Sequence, residues 1–309
     1  MPSRPAAPLR PQHFAVIGAG MAGITCARTL AQAGHQVTVF EKSRGFGGRM
    51  STRSSPFGTF DHGAQYFTVR DARFAQAIAT ASATVKPWSA NAVRVLDPHG
   101  RVAEAALPSP EAHYVGTPGM NALVRAWAQP LAQQGRVELQ TQVTRVERDA
   151  LDARRWQLPS AQAHALLQAS ALAPALAQQV AGVQVAPCWT LMLAYPNAVQ
   201  PNLAHLGPQW NAALSTHHRI AWLARESSKP GRDPIERWTV QASAAWSREH
   251  LEDDAPRVQA KLLKAFAEVT GIRAEPAHAE VHRWRYAKTE TPLGKSFLWD
   301  ARTHRHLRR

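Results

Sequence analysis

The pattern of apolar and polar positions is most informative near the start of the chain. Residues 13–17 form a short apolar run of β-forming residues, typical of a buried parallel strand. A glycine-rich turn follows at 18–23, and residues 24–33 then show a helical pattern. A second apolar run at 36–40 predicts another strand, which ends at Glu41. This order predicts a βαβ unit with parallel strands.

The glycines of the turn match a dinucleotide-binding fingerprint. Gly18 permits the tight turn, Gly20 lets the backbone approach a pyrophosphate, and Gly23 allows close packing of helix and strand. The N–H groups and positive dipole end of the helix attract phosphates. Glu41, 18 residues beyond Gly23, can accept hydrogen bonds from both ribose hydroxyls, and an acid there disfavours a 2′-phosphate. FAD or NAD is expected rather than NADP; the alternative is a βαβ turn without a ligand.

The segment after Glu41 separates FAD from NAD. It contains Gly47, Gly48 and Arg49, an arrangement that resembles the glycine-doublet signature of the flavin amine oxidase superfamily. Two glycines let the chain pass close to a cofactor, and a guanidinium can bind phosphate oxygens. NAD dehydrogenases do not usually carry a second phosphate-facing loop here, so FAD is expected. The alternative for Arg49 is a surface salt bridge.

Residues 60–68, Phe-Asp-His-Gly-Ala-Gln-Tyr-Phe-Thr, extend the likeness. With the first fingerprint they resemble the renalase-like bacterial NAD/FAD-dependent oxidoreductases, closely over 13–70 and more loosely beyond. The resemblance implies an α/β protein, with a Rossmann-type FAD-binding domain and an antiparallel-sheet (α+β) substrate domain. It also implies that Ala22, Arg49, Gln65 and Tyr66 contact the flavin, and that the strand around Val143 touches the adenine. The candidate cofactor-binding residues are Gly18, Gly20, Met21, Ala22, Gly23, Glu41, Lys42, Gly48, Arg49, Gly63, Ala64, Gln65, Tyr66 and Val143.

Aromatic and β-branched runs in the second half of the chain alternate as strands do. The runs that predict the antiparallel sheet are 189–195, 220–224, 237–242 and 279–286. Helical patterns cover 120–134, 160–181 and 254–270, and 136–148 is strand-like. The expected domains are 12–73 with 115–170 for FAD, 74–114 with 171–290 for the substrate, and 291–309 as an atypical tail.

Two recurring side-chain types have competing interpretations. The tryptophans are Trp189, Trp222, Trp238, Trp246 and Trp284. They would suit a π-rich wall for a flat nicotinamide or aromatic substrate, but core packing is the favoured interpretation. The histidine pairs at 217–218 and 304–306 lack a third ligand at useful spacing, so we expect surface histidines and no metal. No nucleophile motif is present, and no catalytic side chain is nominated.

Composition narrows the class of protein. The 309 residues suffice for two domains and carry a net charge of +14. Such an excess suits nucleic acid or a small anionic ligand, and because the basic residues are scattered, no nucleic-acid partner is expected. Residues 1–12 have no apolar stretch and 163–187 are broken by Gln and Pro, so neither a leader nor a membrane span is expected. Cys26 and Cys188 lack a partner motif, which fits a reducing cytoplasm.

Two features depart from the pattern that the chain resembles. Trp156-Gln-Leu158 passes at once to Pro159, so no Val/Ile/Leu-rich run supplies the strand expected there. Proteins of the superfamily finish with a Gly-Asp strand and a glycine-containing helix that face the flavin. After Asp300 this chain continues as Ala-Arg-Thr-His-Arg-His-Leu-Arg-Arg, with no apolar strand and no glycine. The hypothesis is that the C-terminal FAD motif is missing and that flavin affinity is reduced or lost.

The resemblance implies a flavin enzyme in which a hydride passes from a dihydronicotinamide-type small molecule to the flavin, with O₂ as acceptor. The protein would supply positioning and a dry pocket rather than an acid–base pair. Three alternatives stay open. They are a flavin amine oxidase or desaturase acting on another small molecule, an FAD-deficient homologue without activity that serves only as a binding or structural protein, and a nucleic-acid-associated protein. The exact substrate and the oligomeric state are left undecided.

Overall fold

The computed structural model describes residues 10–88, 93–105, 111–144, 146–148, 156–157, 174–198, 211–295, 297–300 and 305–308. The chain divides into two compact units. The first unit comprises Met1–Gly48, Trp127–Gln179 and Lys295–Arg309, and the second comprises Arg49–Ala126 and Val180–Gly294. The assignment of an FAD-binding and a substrate-binding role to particular ranges stays a prediction.

The described residues form eighteen strands and six α-helices. The strands are β1 (His13–Ile17), β2 (Gln36–Phe40), β3 (Arg53–Ser55), β4 (Gly58–Phe60), β5 (Val85–Pro87), β6 (Val93–Leu96), β7 (Val102–Ala105), β8 (Tyr114–Gly116), β9 (Val137–Glu138), β10 (Glu147–Arg148), β11 (Trp156–Gln157), β12 (Gln184–Tyr195), β13 (Ala212–Ser215), β14 (Ile220–Arg225), β15 (Glu236–Ala242), β16 (His278–Thr291), β17 (Phe297–Asp300) and β18 (Arg305–Arg308). The helices are α1 (Met21–Gln32), α2 (Ala72–Ala79), α3 (Ala122–Gln133), α4 (Pro174–Ala181), α5 (Ala244–Glu249) and α6 (Ala255–Thr270).

The first unit contains the predicted βαβ arrangement. Strands β1 and β2 pair in parallel, with Ile17 opposite Phe40, and β9 pairs in parallel with β2. Both predicted strands are confirmed, whereas α1 begins three residues earlier than predicted because Gly20 already serves as its N-cap. The strand predicted over 136–148 is confirmed only at its two ends, as β9 and β10.

The second unit is built on a seven-stranded sheet in the order β16-β12-β15-β14-β13-β6-β7. Neighbouring strands are antiparallel except β13 and β6, which run parallel. All four predicted strands are confirmed as β12, β14, β15 and β16, and β12 and β16 extend further than predicted. The sheet is thus mixed, because β6 joins it from a distant part of the chain.

The core of the second unit combines the sheet with α6. Trp189, Trp238 and Trp246 are at most 5% exposed and share one apolar cluster, so core packing is the correct interpretation for these three tryptophans. The helix joins the same cluster through its apolar face, including Phe266. Its predicted start is confirmed, since the Asp254 side chain accepts a hydrogen bond from the Arg257 N–H (2.8 Å) as N-cap.

The structure differs from the sequence-based predictions at His217 and in the C-terminal tail, and it covers only part of one predicted helix. Surface exposure was expected for His217, but it is 5% exposed and hydrogen-bonded to Glu268 (3.1 Å), because the following turn folds it against α6. The tail is not devoid of strand structure, since β18 pairs antiparallel with β17; backbone pairing in such a hairpin needs no apolar run. The predicted helix over 160–181 is confirmed as α4 at its end, and 158–173 lie outside the described residues.

Among the residues described, no helix combines the length and the apolar character needed to cross a bilayer.

Candidate cofactor site

The glycine-rich loop joins β1 to α1 in the first unit. Gly18 has a φ of 98°, in the region that favours glycine, and its N–H donates to the Phe40 carbonyl (2.8 Å). Gly20 is the extended N-cap of α1, and among the described residues no side chain caps the helix there. The first turn of α1 also contains no acidic residue. A helix N-terminus of this kind presents its N–H groups and positive dipole end to an anion.

Space around the glycines distinguishes packing from ligand binding. A Cβ on Gly23 would overlap the carbonyl oxygen of Gly18, so close packing of the loop on the helix requires glycine there, as predicted. A Cβ on Gly20 would meet only the backbone of Gly47 and Gly48, at 3.7 Å or more, which is ordinary van der Waals contact. The protein's own packing therefore does not demand glycine at position 20. A pyrophosphate approaching the backbone would demand it.

Glu41 follows β2 and lies almost fully buried against the loop, with 6% of its surface exposed. Its carboxylate accepts hydrogen bonds from the N–H groups of Ala19 (2.6 Å) and Ser43 (2.8 Å), one at each oxygen. A carboxylate oxygen can accept two hydrogen bonds, so both oxygens retain a lone pair for a ribose hydroxyl. The acid is therefore held beside the glycine loop with acceptor capacity left, as a dinucleotide site requires.

The glycine doublet packs against this loop. Gly47 and Gly48 both have positive φ, at 125° and 55°, and the Gly47 N–H donates to the Ala19 carbonyl (3.1 Å). A Cβ on Gly48 would lie 3.2 Å from the Gly20 Cα, tighter than ordinary contact. The two glycines therefore allow a close approach to the first glycine loop. Their close approach to the cofactor stays a prediction.

The remaining candidates of the first unit differ in exposure. Met21 and Ala22 form the first turn of α1 and are half-buried, whereas Lys42 is exposed. Val143 is 2% exposed, so its side chain belongs to the core. Residues 141–144 are not a strand, and the predicted adenine contact would have to come from the backbone there.

The second unit holds the other predicted flavin-contacting residues on one loop, 61–66. The loop is packed on the chain at Arg49, whose carbonyl accepts a hydrogen bond from the Ala64 N–H (2.9 Å). A Cβ on Gly63 would overlap this same carbonyl, which explains the glycine. The exposed Arg49 guanidinium donates to the Ala287 carbonyl (3.3 Å), and within the described part of the chain it forms no salt bridge, the alternative considered for it.

Gln65 and Tyr66 point to different surroundings. The buried Gln65 amide donates to the carbonyls of Asp61 and Gly63 and accepts from Lys229 Nζ (3.2 Å). The Tyr66 ring is half-buried in a set of aromatic side chains. Its ring centroid lies near those of His113 (4.2 Å), Trp222 (5.9 Å) and Trp88 (6.5 Å). This set, Tyr66, Trp88, His113 and Trp222, is called the aromatic wall below.

A buried ionic cluster underlies the loop. The Asp61 carboxylate is inaccessible to solvent and accepts hydrogen bonds from Thr52 Oγ1 (2.8 Å), Met120 N (2.8 Å), Lys229 Nζ (3.2 Å) and Arg232 Nη2 (2.6 Å). Burial alone would raise the pKa of Asp61, but Lys229 and Arg232 outweigh it and lower the pKa to about 2. Asp61 is therefore ionised at neutral pH.

Glu226 completes the cluster. Its Oε1 accepts from Lys229 Nζ (3.0 Å) and from Thr239 Oγ1 (2.6 Å), while burial raises its pKa despite the nearby Lys229. Lys229, Arg232 and Glu226 were not predicted from the sequence, because each lies at least 160 positions from the 61–66 loop. The sequence around Lys229 and Arg232, Lys-Pro-Gly-Arg, is typical of an ordinary turn and does not indicate a buried ionic cluster.

Two histidines, His62 of the loop and His282 next to it, are neutral at pH 7. His62 packs edge-on against His282, with ring centroids 4.7 Å apart, and stacks on Trp284 at 5.2 Å. Burial, His282 and Arg53 lower the pKa of His62 to about 3, and burial with Arg53 lowers that of His282 to about 4. Within the described part of the chain, no group of three His, Cys, Asp or Glu side chains is placed to hold a metal ion.

Comparison with known proteins agrees with this geometry. The model of the NAD(P)-binding Rossmann-like domain matches residues 16–80. Over 42 residues the chain is 57% identical to an L-amino acid oxidase of Crotalus durissus cumanensis, which is 14% of this chain and 8% of that protein. Over 58 residues it is 49% identical to a 4,4′-diapophytoene desaturase of Staphylococcus haemolyticus, 19% of this chain and 12% of that protein. The chain thus matches only about a tenth of the length of these curated relatives.

Similarity of fold extends over most of the chain. A structure of putrescine oxidase bound to putrescine aligns with a TM-score of 0.66 and 13% identity, covering 88% of this chain and 84% of that one. Cyclohexylamine oxidase of Brevibacterium oxydans gives 0.63 and 13%, covering 89% and 84%. The fold is therefore similar to that of putrescine oxidase and cyclohexylamine oxidase, a Rossmann-like domain with a multistranded mixed sheet, and the predicted fold class is confirmed.

The space around the two loop glycines predicts opposite effects on folding. Gly23→Ala should lower the free energy of unfolding by about 3 kcal/mol, because its Cβ has no room beside the Gly18 carbonyl. Gly20→Ala should leave the denaturation midpoint unchanged, because its Cβ meets only ordinary contacts. Urea unfolding followed by circular dichroism measures both. Equal destabilisation by the two substitutions would contradict the assignment of Gly20 to a ligand.

The ionic cluster predicts a strong dependence of stability on Asp61. Asp61→Asn removes the carboxylate that pairs with both Lys229 and Arg232 in the buried cluster, and should cost about 3–5 kcal/mol. Because the folded pKa of about 2 lies below the ordinary 3.8, the stabilisation is complete above about pH 4 and is lost as the pH falls towards 2. The slope attributable to this group is at most about 1.4 kcal/mol per pH unit.

Asp71→Asn is the matched control for this prediction. Asp71 also has a pKa lowered to about 2, through hydrogen bonds from Arg73, but its side chain is 49% exposed at the start of α2. Asparagine caps helices as well as aspartate does, so this variant should cost less than about 1 kcal/mol. Chemical denaturation of both variants at neutral pH, and of the wild type across acidic pH, makes the comparison. Similar losses in the free energy of unfolding in the two variants would contradict the prediction that stability depends strongly on Asp61.

Proposed function

We propose that the protein is an FAD-dependent oxidoreductase that oxidises a small molecule. The observation that carries the proposal is the buried Glu41 carboxylate, held 2.6 Å from the Ala19 N–H beside an uncapped helix N-terminus. This arrangement suits the ribose and pyrophosphate of an adenine dinucleotide. The fold of the FAD-dependent amine oxidases and the names of the relatives, oxidases and a desaturase, support FAD over NAD.

Different residues of the chain would bind different parts of the cofactor. The first turn of α1 would bind the pyrophosphate through its N–H groups, and Glu41 would accept the ribose hydroxyls. The 61–66 loop would contribute backbone and side-chain contacts through Gly63, Ala64, Gln65 and Tyr66. Bound FAD would supply a two-electron hydride acceptor, which protein side chains cannot provide. The protein's part is then to bind, to orient and to exclude water.

For the substrate we favour a neutral, flat ring of the dihydronicotinamide type, with O₂ as the final electron acceptor. The aromatic wall offers flat π faces to such a ring. Lys229 Nζ lies 5.5 Å from the centre of the Trp88 ring, so a cation already occupies the cation–π position at this ring. Burial lowers the pKa of His113, so this member of the wall is neutral at pH 7. An amine substrate is the competing candidate, supported by the fold of putrescine oxidase.

Removal of the Glu41 charge tests the cofactor assignment. Glu41→Gln should weaken FAD binding by about 10- to 100-fold, because ribose hydroxyls lose a charged acceptor. Glu138→Gln is the control, since Glu138 is exposed and lies opposite Phe40 in the neighbouring strand β9. Titration of the purified protein with FAD, followed by flavin fluorescence, gives the dissociation constants. Wild-type protein that binds no FAD would overturn the proposed function.

Rapid mixing distinguishes the two substrate classes. In anaerobic stopped-flow experiments the absorbance of bound oxidised flavin should bleach with dihydronicotinamide isomers and not with monoamines or diamines, because the aromatic wall suits a flat neutral ring. Formation of H₂O₂ on admission of air reports O₂ as the acceptor. Bleaching by amines alone would replace the dihydronicotinamide assignment by an amine oxidase.

A further inference from the structure

The 61–66 loop is held by side chains from two strands of the large sheet. Trp284, on β16, donates its indole N–H to the His62 carbonyl (2.8 Å). Gln241, on β15, donates its amide N–H to the Gly63 carbonyl (2.7 Å). Two consecutive carbonyls of the loop are therefore fixed by residues that lie more than 170 positions away in sequence.

Fixing these carbonyls fixes more than two atoms. A peptide group is planar, so the direction of each carbonyl sets the direction of the following N–H. The His62 carbonyl orients the N–H of Gly63, and the Gly63 carbonyl orients the N–H of Ala64. That second N–H is the one that donates to the Arg49 carbonyl (2.9 Å). The two side chains thus determine the path of the loop up to Ala64.

Packing reinforces the same contacts. The Trp284 ring stacks on the His62 ring with centroids 5.2 Å apart and an interplanar angle of 27°, so one side chain holds both the ring and the carbonyl of His62. The Gly63 carbonyl also accepts from the Gln65 amide (3.1 Å), whose oxygen accepts from the buried Lys229. Gln241 and the ionic cluster therefore meet at a single loop carbonyl.

We propose that Trp284 and Gln241 are positioning residues for flavin binding, acting through the backbone of the 61–66 loop. The inference rests on the proposed function, in which Gly63 to Tyr66 contact the flavin. Without the Trp284 hydrogen bond the His62 carbonyl loses its side-chain donor, and without the Gln241 hydrogen bond the Gly63 carbonyl keeps only the Gln65 amide. The loop then samples orientations that do not fit the cofactor. The protein stays folded, but part of the binding energy is then spent on ordering the loop.

Two substitutions that keep size test the inference. Trp284→Phe retains an aromatic ring for His62 and removes the N–H, and Gln241→Met keeps the side-chain length and removes the amide. Each should raise the dissociation constant for FAD about 5- to 10-fold. Each should also shift the midpoint potential of the bound flavin, because a displaced loop affects the oxidised and reduced forms unequally.

Trp189→Phe is the matched control. Trp189, on β12, also donates its indole N–H to a backbone carbonyl, that of His250 (2.9 Å), so the same bond is lost at another place in the second unit. It should lower thermal stability by a similar amount and leave FAD affinity and potential unchanged. Melting curves for every variant separate a folding defect from a binding defect, and Gln241→Met carries the test if Trp284→Phe does not fold.

The outcomes separate this inference from the function on which it rests. Weakened FAD binding with shifted potentials in Trp284→Phe and Gln241→Met, beside normal values in Trp189→Phe, supports it. Normal FAD binding in all three variants overturns the positioning role and leaves the proposed function standing. Failure of the wild-type protein to bind FAD overturns both.

Discussion

The ionised carboxylate of Asp61 is the interaction on which the second unit depends. A charge taken entirely out of water is tolerated only when donors replace its hydration, and Asp61 has four of them. The donors come from separate segments of the chain, at Thr52, Met120, Lys229 and Arg232. One carboxylate therefore ties the loop to the start of α3 and to the turn after β14, and the loop keeps its shape only while these donors are in place.

The first unit uses a different principle. Its site is made almost entirely of backbone: left-handed glycines, a helix N-terminus without a side-chain cap, and a carboxylate held by two N–H groups. Such a site depends on chain geometry more than on the choice of side chains, so glycine spacing encodes it. The part of the chain that a family model recognises, residues 16–80, accordingly contains this glycine loop, whereas identity to putrescine oxidase over the whole fold is 13%.

The same contrast decides what could be predicted from the sequence. The strands before and after the glycine loop, the role of Gly23 and the strands of the large sheet follow from local patterns, and the structure confirms them. The ionic cluster and the two carbonyl donors do not follow, because Lys229, Arg232, Gln241 and Trp284 lie more than 160 positions from the 61–66 loop and belong to no motif. The β17–β18 hairpin was missed for another reason, since its second strand has no apolar pattern to detect.

The charge state of the second unit bears on the chemistry it can support. Asp61 is committed to Lys229 and Arg232, burial favours the protonated form of Glu226, and His62 and His282 are neutral at pH 7. Asp61, His62 and His282 are therefore not poised to exchange a proton near neutral pH, where general acids and bases are most effective, whereas burial moves the pKa of Glu226 upwards towards that range. A reaction that moves a hydride needs no such group, whereas removal of a proton from an ammonium substrate does. A ring that is neutral before it reacts, as in the proposed function, therefore places no demand on Asp61, His62 or His282.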